Sequence, residues 1–129
     1  MREGLRSAIF RTGDHTLDDL LENARAKFLS HDPKTRRESL ETLWDAWERL
    51  KTIDDPKKPL GISMRLNSAA NEPAIIAFLE AEAKVLTKTG NEFDIRHKEV
   101  DKVPVREDRH VDYPFHRLFA LIWLLLTDK

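Results

Sequence analysis

A chain of 129 residues has room for one hydrophobic core and too little for two ordinary ones, so residues 1–129 are read as a single domain, on its own or within a longer parent protein. Apolar residues make up 40% and charged residues 35%, which excludes a disordered chain and calls for the alternation of polar and buried faces that helices supply. The 22 Lys and Arg against 23 Asp and Glu leave a formal charge of −1 and no general basic field for nucleic acid, while the lack of cysteine excludes disulfides and thiol chemistry and suits the cytoplasm.

The chain opens on MREGLRSAIF, which is basic but has no apolar run of signal-peptide length. Residues 16–30 place Leu17, Leu20, Leu21, Ala24 and Phe28 at helical spacing, with Asp14 or Thr16 available as the cap. A second helix is predicted from Asp32, with Pro33 in its first turn, to about Thr52. Its stripe of Leu40, Leu43, Trp44, Trp47 and Leu50 reads as core rather than as a base-stacking platform. The DDPKKP stretch that follows is a charged, turn-forming connector. A third helix is predicted over residues 73–89, with Ile75, Phe78, Leu79, Val85 and Leu86 on one face and Gly90 as a left-handed cap. Glu82 falls inside that stripe, where it either reaches solvent or pairs with a buried Arg or His near a site. The last helix is predicted from Asp112, with Pro114 in its first turn, through Leu126. Its longest apolar run, nine residues over 118–126, is far short of the roughly 18 needed to cross a bilayer, so no membrane association is expected. Because this helix is apolar nearly all round, it is either central to the bundle or shared with a partner chain, and a homodimer through it is expected. The fold class that results is all-α, a four-helix bundle with an irregular segment before the last helix.

That irregular segment holds the densest chemistry. Pro104 prevents one continuous helix between Gly90 and Asp112, and compact domains seldom keep so long an irregular connection without using it. Three of the five histidines, His97, His110 and His116, gather there with Arg96, Arg106, Arg109 and Arg117. Histidine exchanges protons near neutral pH and arginine offers a fork of donors to phosphate, the two capacities that metal-independent RNA cleavage requires. The bland reading is a solvated salt-bridge network, since seven acidic residues lie between Asn91 and Arg117. No two histidines have the i, i+4 spacing of a helical zinc site, so neither a metal nor a cofactor is expected.

The stretch Phe93-Asp94-Ile95-Arg96-His97-Lys98-Glu99, then Lys102, then Tyr113-Pro114-Phe115-His116-Arg117-Leu118-Phe119 resembles the C-terminal helical module of bacterial abortive-infection and other defence proteins, which is similar to the HEPN group. The likeness covers roughly the last forty residues. It implies a helical bundle that dimerises and, in active members, cuts RNA without metal through an Arg, a neighbouring polar residue and a His a few positions on. Arg109, His110 and His116 fit that pattern, with six residues between Arg109 and His116. Arg96 and His97 match a second element, but Asp101, Lys102 and Val103 stand where its following His would be. On this resemblance His116 is the general acid or base, Arg109 neutralises the phosphate and Arg96 with His97 orients it, while Lys102, His110 and Arg117 contact RNA. The function expected is a metal-independent endoribonuclease or RNA-binding domain of a bacterial defence or toxin system. The alternative is a non-catalytic helical dimerisation or interaction module, in which the same residues form a structural polar network.

Overall fold

The computed structural model describes residues 10–53, 62–93 and 104–127, and the described residues are all-α. Five helices occur among them: α1 (His15–Phe28), α2 (Pro33–Ile53), α3 (Ser63–Ala69), α4 (Pro73–Glu92) and α5 (Asp108–Leu126). The charged connector DDPKKP and the residues 94–103 lie outside the described residues.

Helices α1 and α2 form an antiparallel pair closed by residues 29–32. Asp14 caps α1, its Oδ1 accepting from the Leu17 N–H at 2.8 Å, and Asp32 holds the start of α2, its Oδ2 accepting from the Thr35 N–H at 3.1 Å and hydroxyl at 2.7 Å. Arg49, near the far end of α2, returns to Asp14 at 2.6 Å and so fastens the open end of the pair. Leu40, Leu43, Trp44, Trp47 and Leu50 are fully buried, so the tryptophan stripe is core. Each indole N–H has an acceptor on α4: Trp44 Nε1 donates to the Leu86 carbonyl at 2.8 Å, and Trp47 Nε1 to the Thr87 hydroxyl at 2.9 Å.

Helix α5 is the centre of the bundle, packing on α2, α3 and α4. Phe115, Phe119 and Trp123 stack at successive i, i+4 positions along it, Phe28 of α1 stacks on Phe115 with 3.9 Å between centroids, and Phe10 meets Phe119 and Trp123 edge-on. Of the apolar run 118–126, only Ala120 and Leu124 are exposed. The area expected to drive association through this helix is thus largely covered by the chain's own helices. No helix among the described residues is long and apolar enough to cross a membrane.

Three details differ from the sequence expectation, each because tertiary burial overrides a local signal. Helix α5 begins at Asp108, four residues early, so that Pro114 lies inside it. Burial of Val111 one turn before Phe115 extends the apolar stripe and offsets the hydrogen bond that proline removes. Helix α3 was not expected. Seven residues without a side-chain cap cannot hold a helix alone, and it forms because Leu66, flanked by Ile62 and Ala70, sinks into the core. On α4 the buried face is Leu79, Ala83, Leu86 and Gly90, whereas Ile75, Phe78 and Val85 are exposed. Gly90 is not a left-handed cap but an interior residue of α4, and Gly13 is the glycine with positive φ among the described residues.

Candidate functional site

The N-terminal half of α5 runs antiparallel to the C-terminal half of α4. Arg117 pairs with Glu82, while four and eight residues earlier Tyr113 and Arg109 reach the level of Thr89 and Phe93. Two adjacent arginines of α2 set this arrangement. The Arg37 Nε–H donates to the Val105 carbonyl at 3.1 Å and fixes the chain just before α5, and Arg36 pairs with Asp112 in its second turn. Val105 is itself buried.

Between the helices lies a groove of about 500 Å³. Leu86, Val105, Pro104 and Pro114 give it an apolar floor, the exposed rings of Phe93 and Tyr113 stand at its sides, and Arg109, His110 and Arg117 supply its charge. No carboxylate is among the described residues that line it. The volume suits a small organic ligand or one nucleotide.

The cations differ in how firmly they are held. Arg117 makes a two-pronged ion pair with Glu82, with Nε to Oε2 at 3.0 Å, and its guanidinium sits 5.7 Å from the Tyr113 ring centroid. The hydrogen bonds to Glu82 raise its already high pKa, so it is a permanent cation. Glu82 therefore pairs with an arginine at the site rather than reaching for solvent. Arg109 is 82% exposed in its side chain and only 3.7 Å from Glu107, a solvated contact that leaves its fork open to a ligand. Glu107 also lies 3.2 Å from His110 Nδ1.

His116 belongs to a different neighbourhood. It lies two turns beyond Arg109 on α5, about 10 Å of rise. Its ring meets Phe28 edge-on at 5.2 Å, on the same aromatic that carries the Arg36 guanidinium at 4.9 Å. The structure therefore gathers Arg109, His110 and Arg117 around one groove and leaves His116 outside its lining. Arg96, His97 and Lys102 lie outside the described residues. Among the described residues no group of three His, Asp or Glu is placed to hold a metal ion.

Sequence reasoning passed over Phe93 and Tyr113 as groove residues and Arg36 as an anchor of α5. An exposed aromatic has no periodic signature, and a contact between Arg36 and Asp112 spans 76 positions. The one legible clue was Glu82, a carboxylate inside an apolar stripe. No family model matches the chain, and neither a curated protein nor a solved structure does.

Proposed function

We propose that the domain binds single-stranded RNA at the α4–α5 groove, taking one unpaired nucleotide with its base against Tyr113 and Phe93 and its phosphate at Arg109. The observation that carries this reading is the lining itself: two exposed aromatic rings, an apolar floor and three cationic or titratable groups, with no carboxylate among the described residues that line it. Stacking on an aromatic face together with a local cation is how single strands are held without a broad basic surface. A local site also suits a chain whose net charge is −1. The HEPN-like resemblance of residues 93–99 and 113–119 supports the same substrate class.

Binding is favoured over cleavage through His116 because a general acid or base must reach the phosphate that Arg109 neutralises, and His116 sits two turns away against Phe28. The test is fluorescence anisotropy with a short labelled single-stranded RNA. Tyr113→Ala should weaken binding by roughly 5- to 150-fold, the usual worth of one stacked base. Arg109→Ala should weaken it and lower the slope of log affinity against log salt by about one phosphate contact. His116→Ala should bind as wild type. Equal affinity of the Tyr113→Ala variant and wild type would sink the groove as the site, and RNA cleavage in EDTA that is lost with His116→Ala would establish the endoribonuclease instead.

A further inference from the structure

Helix α4 borders a second cavity on its other flank. Residues 86, 89 and 93 face the RNA groove, whereas Glu80, Lys84, Thr87 and Lys88 stand on a face that walls a cavity of about 620 Å³ shared with α2 and α3. Trp47 of α2, Ile62 and Leu66 at α3 and Ala83 of α4 are all buried and give it an apolar floor. The volume is that of a site for a small organic molecule. Among the described residues that line it, Lys51, Lys84 and Lys88 are the cations and Glu80 is the one carboxylate.

Unspent hydrogen-bond donors converge at one end. Thr87 Oγ1 accepts from Trp47 Nε1 at 2.9 Å and from Lys51 Nζ at 3.2 Å, which occupies both of its lone pairs. Its own proton then has no acceptor among the described residues. Thr42, Thr52, Thr89 and Thr127 each return theirs to the carbonyl four residues back. Lys51 also keeps a donor in reserve: Thr87 takes one of its three, Glu48 another, and the side chain is only 14% exposed. Its ammonium lies 5.6 Å from the Trp47 ring centroid. Lys84 and Lys88, one turn apart, flank Thr87 at the mouth. Lys84 has no ion pair among the described residues. Lys88 meets Glu92 at 3.4 Å with both side chains more than half exposed, a solvated contact that an incoming anion replaces. Glu80 stands two turns from Lys88, about 12 Å of rise, so negative charge is repelled at that end of the cavity and accepted at the other.

We infer that this cavity binds a small amphiphilic organic acid, with its carboxylate between Lys51, Thr87 and Lys88 and its apolar body on the floor of Trp47, Ile62, Leu66 and Ala83. An ionised carboxylate only accepts hydrogen bonds, so it takes the Thr87 proton, the third Lys51 donor and the Lys88 ammonium together. The apolar body removes water from a floor that offers it no polar partner. The site does not depend on RNA binding, since α4 stands between it and the groove.

Two fluorescent probes of nearly the same shape test it: anilinonaphthalene sulfonate, whose sulfonate stands for the carboxylate, and the uncharged phenylnaphthylamine. The sulfonate should bind at least about tenfold more tightly, and decanoate should displace it. Lys51→Met keeps the apolar stem but removes the donors, so it should weaken the sulfonate by about tenfold and the neutral probe little. Lys84→Gln, at an exposed position where folding is not at stake, should weaken the sulfonate several-fold. Ser63→Trp, on the half-buried wall at the start of α3, should fill the cavity and abolish binding of both probes with helical content unchanged. Phe78→Glu, on an exposed apolar side chain away from the cavity, should bind as wild type, and a short single-stranded RNA should not displace the probe. Equal affinity for the two probes, or full sulfonate binding by both lysine variants, overturns the anion site. Loss of binding with Phe78→Glu, or displacement by RNA, overturns it by placing the probe on another surface. Full binding by Ser63→Trp, or no saturable binding of either probe by wild type, overturns the cavity as a site.

Discussion

Gly90 presents a bare Cα to the indole of Trp44: a Cβ built there would lie 2.2 Å from Cδ1 and 2.5 Å from Nε1. The same Nε1 donates to the Leu86 carbonyl one turn earlier on α4, so the glycine lets the indole lie flat enough on the helix to make that bond. Gly90→Ala would gain about 1 kcal/mol of helix propensity. It would lose more than that through overpacking, about 1–3 kcal/mol, because the colliding atoms belong to a fully buried ring. Urea denaturation should show Gly90→Ala to be less stable than wild type, and the same change in a Trp44→Leu background should be neutral or stabilising. Equal effects in both backgrounds would separate Gly90 from Trp44.

Truncating Trp44 to Ala should cost about 3–5 kcal/mol, since it empties the centre of the core and leaves the Leu86 carbonyl without its indole donor. Trp47→Phe should cost less, about 1 kcal/mol, because the ring survives and mainly the bond to Thr87 is lost. Thermal melts followed by circular dichroism would rank the two, and the reverse order would place the packing centre on Trp47.

The Glu82–Arg117 pair joins the two helices that frame the groove, with side chains 25% and 32% exposed. A double-mutant cycle with Glu82→Ala and Arg117→Ala should return a coupling of about 1 kcal/mol, as a two-pronged pair with partial solvent access gives. Arg117→Ala should be the costlier single change, because it strands a half-buried carboxylate, whereas Glu82→Ala leaves an arginine that can still turn to the Tyr113 ring. A coupling near zero would mean that the pair merely decorates the contact between α4 and α5.

Asp14 ties pH to stability. The Arg49 guanidinium, followed by the Leu17 N–H, holds its carboxyl below the usual carboxylate range. A group with a depressed folded pKa stabilises fully above its unfolded value, about 3.9, and loses that contribution as pH falls through the lower folded value. Asn at this position still caps α1 but carries no charge. The gap in urea midpoint between wild type and Asp14→Asn should therefore be constant from pH 6 to 8 and close as pH drops below about 4. A gap that widens in acid would contradict the assignment.

The helices with a single apolar face were legible in the sequence alone. The five-residue stripe of α2 and the start of α1, whose cap the sequence left between Asp14 and Thr16, need only period and local hydrogen bonding, which act over a few residues and leave a direct mark in the order of side chains. Helix α4 was legible as a helix but not in its orientation, because it bears two apolar stripes. Size favoured Ile75, Phe78 and Val85 for the core, yet the large indole of Trp44 selected the side with Ala83 and Gly90, where a bulky ring fits. Helix α3 and the early start of α5 depend on burial against distant elements that no local window contains. The site divides in the same way. The cluster of Arg and His near α5 was visible in composition, but that Arg109, His110 and Arg117 share one groove while His116 turns to Phe28 was decided by the Glu82–Arg117 and Arg36–Asp112 pairs, contacts made only when the chain is folded.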